Sequence, residues 1–237
     1  MSVFTPPPPI ESPEAAVPAP LPPRRGGSFF NALAFMFSAV LSPYLVILFG
    51  TAGIVYARSE PEDFWIYVTI SLLFTTVAPA LYVIYGIKKG FISDVHVMER
   101  EQRGGPFAVA IGGGFLSALI LYFIGAPASV WALPLIMAVN GIAIWLITFK
   151  TKISVHVSVL AATVLGASIL HPNVKPLYIV WLIPALMWAR WYRRRHTIWQ
   201  GLGGAVVASV ITAIIIVCIP SLGGDRIVLF LDRIFKP

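Results

Sequence analysis

Long apolar runs dominate the chain from Phe29 onward, and they are continuous rather than alternating. Lipid leaves a spanning chain only a helical bundle or a closed barrel, because every backbone polar group must be satisfied internally. Unbroken apolar runs of about twenty residues select helices. The pattern therefore predicts an all-α polytopic transmembrane bundle of six or seven helices over residues 28–220. Residues 29–41 read as a helix lying at the interface or entering it, divided by Pro43 from a first crossing at 42–57. Further crossings are expected at 64–86, with a kink at Pro79, and at 106–125, 127–149, 153–170, 174–192 and 197–220. The sequence His171-Pro172-Asn173 marks a break.

Two segments depart from this pattern. Residues 1–27 hold nine of the twenty prolines and read as a disordered, polyproline-like tail on which a signal peptide is not expected. Residues 221–237 read as a short amphipathic tail. Tryptophans 65, 131, 145, 188, 191 and 199 fall near expected helix ends, as an aromatic belt does. Gly112, Gly113, Gly114, Gly201, Gly203, Gly204 and Ala208 offer small faces for close helix packing, and Asn140 is expected to bond to a neighbouring helix.

Composition supports the same class. Hydrophobic residues make up 58% of the chain and charged residues 11%, with a mean hydropathy of +0.85, a balance that excludes a soluble domain. The net charge of +7 then reports basic loops rather than nucleic-acid binding. Cys218, inside an apolar run, carries no redox information.

Sorting charge by side sharpens the picture. The amino-terminal tail and the connections after the second, fourth and sixth expected crossings share one side, with twelve of the seventeen Lys and Arg residues. Arg58, Lys175, Arg226, Arg233 and Lys236 fall on the other. The positive-inside rule puts the richer side in the cytoplasm, tail included. The expected location is thus the cell (inner) membrane, with membrane lipid and anionic head groups as partners.

Those same connections gather the candidate chemistry. The densest, Arg190-Trp191-Tyr192-Arg193-Arg194-Arg195-His196, has four arginines and a histidine in seven residues. The others are Ser93-Asp94 through Arg103 and Lys150-Thr151-Lys152-Ile153-Ser154-Val155-His156. Arginine offers fixed bidentate donors to phosphate oxygens. A helix start near Thr197 adds backbone donors. Histidine can attack phosphorus or shuttle a proton. Arg193, Arg194 and Arg195 read as anionic-lipid contacts and topology signals, His96 as a loop histidine, and His171 as a cap or packing residue on the opposite side.

The order of these motifs resembles the membrane-bound type 2 phosphatidic acid phosphatase superfamily (lipid phosphatases, vanadium haloperoxidase-like), in a divergent bacterial branch. Its pattern is K-x6-R-P, P-S-G-H and S-R-x5-H-x3-D. Arg190 and His196 match the third motif in spacing, Ser154 and His156 the second, and Arg103 the arginine of the first. The motif-one lysine falls on His96 and its proline on Gly104. Ile153 and Val155 replace the proline and glycine of the second motif, Ala189 the serine of the third, and Gln200 its aspartate.

The resemblance implies a lipid-phosphatase-like core without metal or cofactor, acting on a polyprenyl or glycerolipid phosphate or diphosphate. His196 would be the nucleophile, with Arg103, Arg190 and Ser154 holding phosphoryl oxygens, His156 protonating the leaving oxygen, and Gln200 orienting His196. Asp94, Glu99 and Glu101 are candidates to supply the missing carboxylate. The alternative expectation is a catalytically degenerate relative that keeps an anionic head group and serves as a structural or assembly subunit of a membrane complex. A membrane prenyltransferase needs paired aspartate-rich motifs for magnesium diphosphate, and Asp94 lacks an aspartate partner at suitable spacing. A transporter needs more broken or polar helices at mid-membrane than Asn140 and Pro79 supply.

Overall fold

Apolar runs interrupted by proline and glycine fold here as successive helices, in a computed structural model that describes residues 27–95, 97, 101–171, 175–219, 222 and 232. The expectations for the proline-rich tail, His96, Glu99, Arg100, Pro172, Asn173 and most of the carboxy-terminal segment lie outside the described residues. In order the helices are α1 (Ser28–Val40), α2 (Pro43–Arg58), α3 (Phe64–Leu72), α4 (Ala78–Lys89), α5 (Gly104–Phe123), α6 (Ala128–Thr148), α7 (Val155–Leu170), α8 (Leu182–Tyr192) and α9 (Ile198–Cys218).

Each expected crossing contains an α-helix, but these helices are not equal in length. Four segments are long and apolar enough to cross a bilayer: Phe64–Lys89, Glu101–Phe123, Ala128–Thr148 and Ile198–Cys218. The pair α1–α2 counts as a fifth only if its 51° bend lies within one span. Pro43 opens α2 at its first position, where a missing N–H costs nothing. The segment expected as a sixth crossing begins instead with a 3-10 turn, Lys175–Ile179, and α8 has only 11 residues. Pro176 and Pro184 both fall where backbone N–H groups are dispensable, so they mark starts and not a continuous rod.

Ahead of Pro79, where a kink is expected, a π-helical turn, Leu73–Val77, joins α3 to α4 within the one span Phe64–Lys89. The proline ring would clash with the carbonyl of Thr75 four residues back, and widening the preceding turn relieves this.

Side chains are distributed for lipid. Large apolar groups face outward on the long helices, among them Phe49, Leu81, Leu119, Leu146, Val206 and Ile214. The interior carries small and hydroxyl-bearing residues such as Ser71, Ser117, Ser158 and Thr212. Several of these hydroxyls donate to the carbonyl four residues back, as Thr75 does to Ser71 at 2.7 Å and Ser168 to Val164 at 2.6 Å. Asn140 of α6 donates to Thr212 of α9 at 3.2 Å, the interhelical bond expected of it.

α7 is the axis of the bundle. It is buried around nearly its whole circumference and packs against α2, α6, α8 and α9. Its C-terminal carbonyl at Leu170 accepts from Arg58 Nε at 2.6 Å, which ties it to the end of α2. His171 caps that same end, away from the motif loops. α9 approaches α7 at Gly204, where a Cβ would come within 2.6 Å of Ser158 Oγ. Gly113 meets the Phe74 backbone, Gly114 meets Pro134 and Ala138, and Gly201 meets Met187. Gly112 and Gly203 have open space beside them and are not packing positions.

Gly204→Val is therefore expected to destabilise the protein by about 1–3 kcal/mol through overpacking. Gly203→Val, facing open space, should leave the unfolding temperature in detergent near the parent value.

Candidate functional site

The end of α8 builds the centre of the site. Arg194 N donates to Trp191 O at 2.9 Å and Arg195 N to Arg190 O at 3.0 Å, with Arg194 at φ 53°. This is the Schellman closure, in which a left-handed residue follows the helix. Gly90 after α4 and Gly125 after α5 make the same turn with the residue that adopts it freely. Arg194 adopts it at a steric cost of about 1–2 kcal/mol. The turn folds the chain back so that His196 N also donates to Arg190 O, at 3.3 Å. The x5 spacing is thus one helix end and one reversal, which brings a histidine over an arginine.

The start of α9 fixes that histidine. Thr197 is the N-cap, its Oγ1 accepting from Gln200 N at 3.2 Å, and Gln200 Oε1 accepts from Thr197 N at 3.1 Å, completing a capping box. The same Oε1 lies 3.2 Å from His196 Nδ1. Because the Thr197 amide can only donate, the atom facing it is the carbonyl oxygen, so His196 Nδ1 carries the ring proton. Nε2 is left with the lone pair.

Gln200 also reaches the second motif. Its backbone carbonyl accepts from Ser154 N at 3.3 Å, where α7 begins. One residue thereby joins the starts of α7 and α9 and the ring of His196. The first motif is closed by Gln102 Oε1, which accepts from Ser93 N at 2.8 Å and Ser93 Oγ at 3.0 Å. Arg103 Nε donates to Val97 O at 2.9 Å. Val97 holds φ 45°, a strained setting for a β-branched residue.

Arg103, His156, Arg190 and His196 all line one cavity of about 780 Å³. Its remaining wall is largely apolar, with Pro43, Tyr44 and Ile47 of α2, Val83 of α4, and Phe107 and Ala110 of α5. Ser154 and Gln200 stand behind the wall and not on it. Ser154 is fully buried and its Oγ has no hydrogen-bond partner among the described residues. Arg190 is 6% exposed and its Nε likewise has no acceptor.

Sequence reasoning gave no site role to two charged lining residues, Lys152 and Arg195. Of the arginines read as lipid contacts, Arg193 stacks over the Phe35 ring at 5.1 Å, Arg194 makes the turn, and Arg195 lines the cavity. Neighbouring residues in a tight turn point apart, which a run of like charges in sequence does not reveal. Among the acidic candidates, Glu101 lines the cavity while Asp94 does not, and Glu99 lies outside the described residues.

Burial holds the His196 imidazole well below its ordinary 6.5, at about 4; Arg190 depresses it further, the Gln200 bond opposes this, and Arg103 and Lys152 add to the depression. His196 is therefore neutral at pH 7. The set offers guanidinium donors for an anion beside an unprotonated ring nitrogen. Comparison with protein-family models, characterised proteins and solved structures gives no match.

The proton linkage has a definite sign. The unfolded chain binds a proton at His196 near pH 6.5 and the folded chain only near 4, so stability falls as pH drops through that window. Unfolding temperatures measured from pH 7 to pH 4 should fall less steeply for His196→Gln than for the parent. Arg194→Gly should raise the unfolding temperature modestly, because glycine adopts the turn without strain.

Proposed function

We propose that the protein is an integral-membrane lipid-phosphate phosphohydrolase related to the type 2 phosphatidic acid phosphatases, acting on a polyprenyl or glycerolipid phosphate or diphosphate. The observation that carries this reading is one cavity lined by Arg103, Arg190, His156 and His196 together with many apolar side chains. A lipid phosphate has the same two-part character. Arg190 and Arg103 hold the phosphoryl oxygens. His196 Nε2 attacks phosphorus while the bond to the lipid oxygen breaks, and His156 delivers a proton to that oxygen. Water then cleaves the phosphohistidine and releases inorganic phosphate. The reading includes six or seven crossings, an inner-membrane location and motif loops on the cytoplasmic side, following the charge asymmetry of the loops.

Purified protein should release phosphate from such lipids without added metal, and His196→Ala should abolish release. Unchanged activity in that variant would end the proposal.

One observation favours a second reading. The group bonded to His196 Nδ1 is the neutral Gln200 amide, not a carboxylate. It sets the tautomer but gives no charge to the imidazolium-like transition state. Losing the carboxylate of the serine-protease triad costs roughly 10⁴ in turnover. On this reading the cavity keeps an anionic lipid head group without turning it over, and the protein serves as a structural or assembly subunit of a membrane complex. Gln200→Glu decides between the two. Glutamate has the same reach and suits the third position of a helix. On the catalytic reading kcat rises by up to about 10⁴. On the binding reading no turnover emerges on a broad lipid-phosphate panel, and the protein co-purifies with a stable partner.

A further inference from the structure

Midway along the bundle, hydroxyl groups from three helical segments meet. Thr51 lies near the centre of α2, Ser71 near the end of α3, Thr75 in the π-helical turn and Thr163 near the centre of α7. Together with apolar residues that include Met137 of α6, they line a small cavity of about 10 Å³. Ser71 is 1% exposed and the three threonines 8% each. The walls are tightly set, since a Cβ at Gly50 of α2 would collide with Thr163 Cγ2. Thr75 Oγ1 donates to Ser71 O at 2.7 Å, so its proton is already engaged. Ser71 Oγ and Thr163 Oγ1 have no hydrogen-bond partner among the described residues.

A hydroxyl buried without a bond is costly, and a polar occupant of the cavity removes that cost. Size and chemistry select the occupant. A space of about 10–15 Å³ holds one water molecule, provided that two to four polar groups surround it. Four hydroxyl-bearing residues line this one. An organic ligand does not fit. A bare cation needs a compensating charge in so apolar a setting, and no described carboxylate lines the cavity.

We infer that this cavity is a binding site for one water molecule, which bridges the hydroxyls of Ser71 and Thr163 and so ties the segment entering the π-helical turn to α7. The water accepts from Ser71 Oγ and Thr163 Oγ1 and donates to Thr75 Oγ1, whose own proton goes to Ser71 O. Ile47 and Thr75 line both this cavity and the larger one, so water exchanges between the two and not through lipid. Thr75 and Pro79 belong to the wall of the larger cavity. The bound water steadies that wall against α7. The site involves no phosphate chemistry and stands apart from the phosphohydrolase reading.

The test uses full-length protein in detergent with isotope-labelled methionine methyl groups. Met137 is on the cavity wall, and its methyl carries no exchangeable proton. That methyl, assigned through Met137→Leu, should show a nuclear Overhauser cross-peak to water, and Ser71→Ala and Thr163→Val should each remove it. Stability gives a second readout. Thr163→Val keeps the shape of the side chain and deletes the hydroxyl. Each substitution should raise the unfolding equilibrium constant about fivefold or more, because the hydroxyl left behind loses its bridge. The double variant should show less than the product of the two effects, since both act on one water. A hydroxyl with no water beside it behaves the opposite way, and its removal leaves stability unchanged or raises it. No cross-peak in the parent, a neutral or stabilising Thr163→Val, or effects that simply multiply would each overturn the site. So would an unfolding temperature that rises with sodium at constant ionic strength, which would mark the occupant as a cation.

Discussion

A guanidinium buried at one end of an apolar bundle is the constraint around which this protein is organised. Arg190 is 6% exposed, and its Nε has no acceptor among the described residues. Arginine cannot discard its proton to escape such a setting. An unanswered buried donor is costly, and the cost is removed when an anion arrives. Arg103, Lys152 and Arg195 line the same cavity as Arg190 and add to the positive field there. The same field, together with burial, keeps His196 neutral. One physical setting thus holds both an unanswered buried donor and an unprotonated imidazole.

Gln200 converts this electrostatic arrangement into a fixed geometry. Its side chain accepts from His196 Nδ1 and from Thr197 N, and its backbone carbonyl accepts from Ser154 N. The beginnings of α7 and α9 are therefore locked at the point where two of the three motifs meet. Close packing supports this lock, since Gly204 brings α9 against Ser154 O and Ser158 Oγ. An amide serves this positional role as well as a carboxylate would. What it lacks is charge.

The helices are unequal in length, and a cavity opens between them. α7 is short and enclosed by α2, α6, α8 and α9. The 51° bend between α1 and α2 turns Pro43, Tyr44 and Ile47 toward Val83 and Phe107 across a cavity rather than a packed seam. α1 itself is held on α8 through Ala34, Ala189 and the edge contact of Phe30 with Trp188. The wall thus draws on α2, α4, α5, α7 and α8, each placed by its own packing.

The sequence by itself determined the class. Continuous apolar runs cannot be hidden in water, so an all-helical membrane protein and the approximate helix positions followed from patterning alone, as did the interhelical role of Asn140. Local spacing within one turn was also legible, which is why Arg190, His196 and Gln200 could be grouped before any coordinates. The number of full crossings was not legible, because hydropathy does not distinguish a spanning helix from a short one enclosed by its neighbours, as α7 is. Nor could sequence decide which arginine of the 193–195 run enters the cavity, since the turn at Arg194 sends adjacent side chains different ways. That three loops share one wall, with Lys152 and Arg195 on it, is a product of tertiary packing: contacts between residues thirty or more positions apart are fixed by how helices fit together, and no local pattern records them.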